Sequence, residues 1–144
     1  MSRVRFVLGL GFALALGACH SDPGRVGDRF VDYYFVETNQ AQAKKLATGL
    51  AARKLDDELR LVESVRREYD PAQARPSVFY ERRDLKLEGD HARVTYDIKI
   101  QHGSDIGHRS VMLSLVREGD RWKVGNFIVE ERAEGAGPSA PAPR

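Results

Sequence analysis

Ala92-Arg93-Val94-Thr95-Tyr96-Asp97-Ile98-Lys99-Ile100-Gln101 alternates strictly between apolar and polar side chains. Ala92, Val94, Tyr96, Ile98 and Ile100 share one parity, and Arg93, Thr95, Asp97, Lys99 and Gln101 share the other. A period of two is that of a strand with one face in a core and one in water. Outward from it, Gly89-Asp90 reads as a turn and 78–88 as a preceding strand, partly solvated where Glu81 to Asp84 fall. On the other side, 102–107 holds two glycines and reads as a loop. A third strand covers 109–118 with Val111, Leu113 and Leu115 inward, Gly119-Asp120 is a hairpin turn, and a fourth strand, led by Trp122 and Val124, covers 121–131.

Upstream the period becomes helical. Ser21 or Asp22 can cap a helix with Pro23 at its first position. Val26, Phe30, Tyr33 and Tyr34 follow at helical spacing, with Val31 and Phe35 beside them, over about 23–37. Thr38 or Asn39 can cap a second helix with Ala43, Leu46, Ala47 and Leu50 in one stripe, and Gly49 marks a break in it. Leu55, Leu59 and Val62 form a further stripe, flanked by Leu61 and Val65. Asp56–Arg60 and Glu63–Arg67 are acid-before-base pairs of an exposed helix face, and Asp70-Pro71 ends the run. Helices first and strands afterwards predict an α+β domain, its helices on one face of an antiparallel sheet of about four strands.

This order resembles the NTF2-like fold, a cone in which N-terminal helices pack on one face of a curved antiparallel sheet. The likeness rests on the aromatic helix Arg29-Phe30-Val31-Asp32-Tyr33-Tyr34 and on the closing hairpin Val116-Arg117-Glu118-Gly119-Asp120-Arg121-Trp122-Lys123-Val124. It spans roughly 24–131, and its motifs are structural. The resemblance implies a Trp122 packed under the helices and, as pocket candidates, Tyr33, Tyr34, Tyr80, Tyr96 and Trp122. It does not choose a function, since dehydratases, isomerases, transport factors and binding domains share the fold.

The first 18 residues have a different character. Arg3 and Arg5 precede an apolar run from Phe6 to Leu16, and the small residues Gly17 and Ala18 lead to Cys19. These are the parts of a secretory signal. The run is short of the ~20 apolar residues of a membrane span. Leu16-Gly17-Ala18-Cys19 resembles the lipobox of bacterial lipoproteins, which implies cleavage before Cys19 and an acyl anchor on its thiol. Cys19 is the lone cysteine, so no intrachain disulfide is available, and acylation accounts for the thiol. His20 after it, by resemblance to sorted lipoproteins, favours the periplasmic leaflet of the outer membrane.

The expected organisation is therefore a signal over 1–18, a lipidated start and short tether over 19–23, an α+β domain over 24–132, and an Ala/Pro/Gly tail over 133–144. The tail has no apolar side chain larger than Ala or Pro and reads as disordered. Removing the signal takes two of the 23 basic residues and none of the 21 acidic ones, leaving 21 of each. A neutral domain has no electrostatic case for nucleic acid as a partner.

Catalytic and metal motifs are sparse. Asp97 has the outward parity of Arg93 and Lys99 and reads as a solvated carboxylate. Buried tyrosines usually find one hydrogen-bond partner and nothing more. His102, Asp105 and His108 are plausible zinc ligands by type, but they sit in a stretch where Gly, Ser and Asp belong for turn reasons. No phosphate loop or nucleophile elbow occurs, and no cofactor is expected.

The first reading is a tethered, non-catalytic domain that binds a small apolar ligand or an envelope protein partner, held to the lipid bilayer through acylated Cys19. The second is a dehydratase or isomerase with a tyrosine–carboxylate site in the cone. An interior filled by Phe30, Tyr34, Phe79 and Trp122 would exclude it. The third is an accessory subunit of an envelope transport complex, which an apolar patch on the outer sheet face would favour. The charged outer face of the second strand, Arg93 and Lys99, argues for a monomer.

Overall fold

The computed structural model describes residues 22–65 and 75–132. The signal, Cys19, the tail, Asp70-Pro71 and Arg67 lie outside the described residues. Within them the order is α1 (Pro23–Val31), a π-helical turn (Asp32–Val36), α2 (Gln40–Lys45), α3 (Gly49–Val65), and strands β1 (Ser77–Glu88), β2 (His91–His102), β3 (Asp105–Glu118) and β4 (Arg121–Arg132). The class is α+β, with the helices on one face of a curved, open antiparallel sheet of strand order β1-β2-β3-β4.

Asp22 caps α1, its carboxylate accepting from the N–H groups of Gly24 and Arg25 at 3.2 Å each, and Pro23 occupies the first turn, where a missing N–H costs nothing. The helix does not run on as α to Glu37. The N–H of Glu37 donates to the Asp32 carbonyl at 2.8 Å, five residues back. The wider turn resets the side-chain phase, so Phe35 is buried and Val36 is exposed. Thr38, at φ 49°, then reverses the chain, and Asn39 caps α2 by accepting from the Gln42 N–H at 3.2 Å.

The break expected at Gly49 is present. Gly49 has φ 54° and opens α3. The segment before it pairs with the outer edge of β4. Val124 donates to the Leu46 carbonyl and Thr48 donates to the Val124 carbonyl, each at 2.9 Å, making a parallel bridge at Ala47. That bridge covers part of an edge that would otherwise present unpaired groups. It also breaks the expected stripe, because Leu50 falls beyond it and is exposed. Asp56 does not pair with Arg60 as the sequence suggests. It takes Lys44 from α2, while Arg60 approaches Asp57 at 3.8 Å. A cross-helix cation was available to Asp56, and one turn of spacing did not decide its partner.

The strand register follows the parity of the sequence. Inward rows are Arg82–Tyr96–Val111–Val129, Leu85–Val94–Leu113–Phe127 and Leu87–Ala92–Leu115–Val124. Bulges after Arg82 and after Ser114 keep the apolar sets of β1 and β4 on the inner face. Val94, Tyr96, Val111, Leu113 and Val124 are fully buried together with Phe30, Val31 and Leu55. Two expectations need correction. The link after β2 is a two-residue turn, Gly103-Ser104, with His102 paired to Asp105, so most of the expected loop is strand. Phe79 has outward parity and is 58% exposed, so it takes no part in filling the interior.

Candidate functional site

Three tyrosines from the pocket-candidate set reach carboxylates on the helices. Tyr96 of β2 donates to Asp28 of α1 at 2.9 Å, Tyr80 of β1 donates to Asp32 of the π turn at 2.8 Å, and Tyr34 of that turn donates to Glu58 of α3 at 2.8 Å. Asp28 and Asp32 stand one helical turn apart on the side facing the sheet, which brings the first two pairs together. The Tyr80 and Tyr96 rings meet edge-on at 5.9 Å. Arg82 places its guanidinium 3.7 Å from the second oxygen of Asp28. Glycines make this approach possible. A Cβ on Gly27 would lie 2.5 Å from the Tyr96 hydroxyl, and one on Gly24 would lie 1.9 Å from the Arg82 guanidinium.

Burial and the accepting carboxylates hold all three hydroxyls in their protonated form. Desolvation, followed by the hydrogen bond to Asp32, pushes the Tyr80 hydroxyl up to about 12. Desolvation, then the bonds to Asp28 and Glu58, raises Tyr96 and Tyr34 further. Each hydroxyl is a fixed donor at neutral pH, and none is poised to exchange a proton there.

The remaining candidates belong to the packing. Trp122 lies in the core at 7% exposure. Tyr33 packs half-buried against the same cluster. Phe30, Tyr34, Phe35 and Phe127 form a continuous aromatic group, with ring separations of 5.8 Å for Phe30–Tyr34, 5.3 Å for Phe30–Phe127, 4.7 Å for Tyr34–Phe35 and 5.1 Å for Tyr34–Phe127. Lys54 of α3 closes this group, its ammonium 5.0 Å above the Phe127 ring and bonded to the Phe127 carbonyl at 2.8 Å.

The concave sites described lie elsewhere. One, of about 430 Å³, runs over the outer sheet face between Lys86, Glu88, His91, Arg93, Ser114 and Asn126. Lys86 and Arg93 are cross-strand partners in it. Like charges directly opposite one another are unfavourable. Only Asp84, 3.8 Å from Lys86, offsets that pair among the described ion pairs. The other groove, of about 350 Å³, lies at the end of the β2–β3 hairpin and is bordered by His102, Asp105, His108 and Arg132. His102 and Asp105 take inward parity and His108 takes outward parity. Among the described residues no three His, Cys, Asp or Glu side chains are placed to hold a metal ion.

Asp97 has the outward parity expected of it, and the structure adds its partners. It accepts from Arg83 Nε at 2.6 Å and from Arg132 Nη1 at 3.1 Å, the latter reaching across β3. Its role as the junction of β1, β2 and β4 was not legible in the sequence, because Arg132 is 35 residues away. Among the described residues no helix is long and apolar enough to cross a membrane. No protein-family model, curated protein or solved structure matches the chain.

Proposed function

We propose that this chain is a lipid-anchored protein of the bacterial envelope, carrying an NTF2-like domain that acts without catalysis as a ligand-binding or assembly module. The observation that supports a non-catalytic role is the use of the interior. Phe30, Tyr34 and Phe127 fill the space beneath the helices, and the hydroxyls of Tyr34, Tyr80 and Tyr96 are committed to Glu58, Asp32 and Asp28. The outer-face groove, with Lys86 and Arg93 opposed, is the surface a polar or anionic partner would neutralise. Cys19 in its lipobox-like setting supplies the attachment, most simply to the periplasmic leaflet of the outer membrane.

A second reading has a specific observation behind it. Asp28–Tyr96 and Asp32–Tyr80 are neighbouring carboxylate–phenol pairs beside Arg82, the groups a dehydratase or isomerase of this fold would use. That reading requires a substrate to displace one phenol from its carboxylate.

Intact-mass spectrometry of the protein extracted from membranes of its host tests the anchor. The expected mass corresponds to cleavage before Cys19 plus acyl chains, and Cys19→Ala is expected to leave the membrane fraction at high salt. An unmodified Cys19, or a Cys19→Ala protein that stays with membranes, overturns the reading. Native mass spectrometry of the same material in mild detergent tests the module, with a co-purifying ligand or partner expected. Charge reversal by Arg93→Glu is expected to abolish that association without loss of folding.

A further inference from the structure

We infer that the C-terminal half of β1, through Leu85 and Leu87, rests on the bilayer that holds the chain. The inference rests on the reading of Cys19 as the lipidated residue.

Leu85 and Leu87 have inward parity, in the same rows as the core residues Val94 and Ala92. Val94 is fully buried and Ala92 nearly so, yet Leu85 is 39% and Leu87 is 58% exposed. The reason is where α1 begins. A Cβ on Gly24, in the first turn, would lie 3.2 Å from Leu85 Cδ1, so the helix covers β1 only from that point onward. The contacts Gly24–Leu85, Asp28–Arg82 and Asp32–Tyr80 show α1 running antiparallel to β1, away from these leucines. The start of α1 and the uncovered leucines therefore occupy the same corner of the domain.

Cys19 is four residues before Pro23. Whatever its conformation, that tether spans at most about 14 Å. A thiol carrying acyl chains sits at the membrane surface, so the start of α1 is held within about this backbone reach of it, and Leu85, against Gly24, is held beside it. Two leucine side chains fall far short of the roughly 800 Å² per partner of a stable protein interface. A membrane contact needs no such area, because the acyl chains already supply the attachment and hold the leucines at high local concentration. The opposite end, the Gly103-Ser104 turn, lies roughly 30 Å farther along β2 from Val94, the partner of Leu85, at about 3.3 Å per residue. Docking would thus point the β2–β3 hairpin away from the bilayer.

The test uses the full-length lipoprotein, whose acylated Cys19 leaves introduced thiols unique. Leu87→Cys, Leu85→Cys and, as the distal control, Ser104→Cys would each carry a polarity-sensitive fluorophore. Each protein would be reconstituted into phosphatidylethanolamine–phosphatidylglycerol vesicles with or without doxyl-labelled lipid. Blue-shifted emission that doxyl lipid quenches is expected at 85 and 87, with neither effect at 104. Labels at 85 and 87 that stay in water while Cys19 is acylated overturn the docking alone. Labels that are shielded but not quenched assign the leucines to another protein surface and also overturn it. Intact mass on the same samples separates these results from failure of the anchor, since an unmodified Cys19 removes the anchor and the docking together.

Discussion

Tyr96 and Asp28 join the sheet to the first helix through a 2.9 Å hydrogen bond, at a point where Gly27 leaves just enough room for the phenol oxygen. The bond sits where α1 crosses the strand that defines the fold, and Arg82 supports its acceptor from the other side. Helix placement in this domain is thus set by polar contacts as well as by apolar burial.

Removing the donor tests that bond. Tyr96→Phe leaves Asp28 with Arg82 for compensation and keeps the buried ring, so a loss of about 1–2 kcal/mol is expected in denaturant unfolding. No change would mean that water satisfies Asp28 equally well.

Gly27→Ala should be costlier than a helix-propensity scale suggests, since alanine favours helix over glycine. The added Cβ meets the Tyr96 hydroxyl, and overpacking of this kind costs about 1–3 kcal/mol. Combining Gly27→Ala with Tyr96→Phe should recover part of the loss, because the clashing oxygen is gone. Strict additivity in the double-mutant cycle would contradict the contact.

The tyrosines predict the alkaline limb of stability. Tyr80 is raised from the usual 10 to about 12, and Tyr34 and Tyr96 are raised beyond it. The folded state therefore holds these protons more tightly than the unfolded state. Their contribution is complete below pH 10 and is lost as pH climbs through 12. Ultraviolet titration at pH 11 should find these phenols still protonated in the folded protein, and unfolding stability should fall steeply between pH 10 and 12. Ionisation of all tyrosines near pH 10 would refute the buried pairs.

Trp122→Ala should cost about 3–5 kcal/mol, the range for removal of a large buried aromatic. By contrast Asp97→Asn, which weakens two ion pairs with half-exposed Arg83 and less exposed Arg132, should cost less than about 1 kcal/mol. Urea unfolding of the two variants side by side checks the ranking, and a reversed order would place structural weight on the outer face.

Thr38 holds φ 49°, a conformation that a β-branched residue adopts only under strain. It is exposed at the exit of the π turn, so its side chain is not needed for packing. Thr38→Asn should raise stability by about 0.5–1 kcal/mol, since left-handed geometry penalises branched residues most. A loss of stability in thermal melts would show that the threonine makes a compensating contact.

Alternation from Ala92 to Gln101 was by itself enough to determine the central strand, its inward set and, with the helical spacing upstream, the α+β class. Parity also determined the outward position of Asp97, and Gly49 announced the break between α2 and α3. These are local facts, since period and turn chemistry act over a few residues. Tertiary structure alone decided the rest. Phe79 shares the apolar character of Val78 and Tyr80, but a strand presents alternate residues to opposite faces, and the register of β1 against β2 put it outside. Asp56 chose Lys44 over Arg60 because α2 packs beside α3. The Tyr96–Asp28 and Tyr80–Asp32 pairs join residues 68 and 48 positions apart. No pattern along the chain records such a distance, because a hydrogen bond is specified by where the folded elements meet and not by the spacing of its partners.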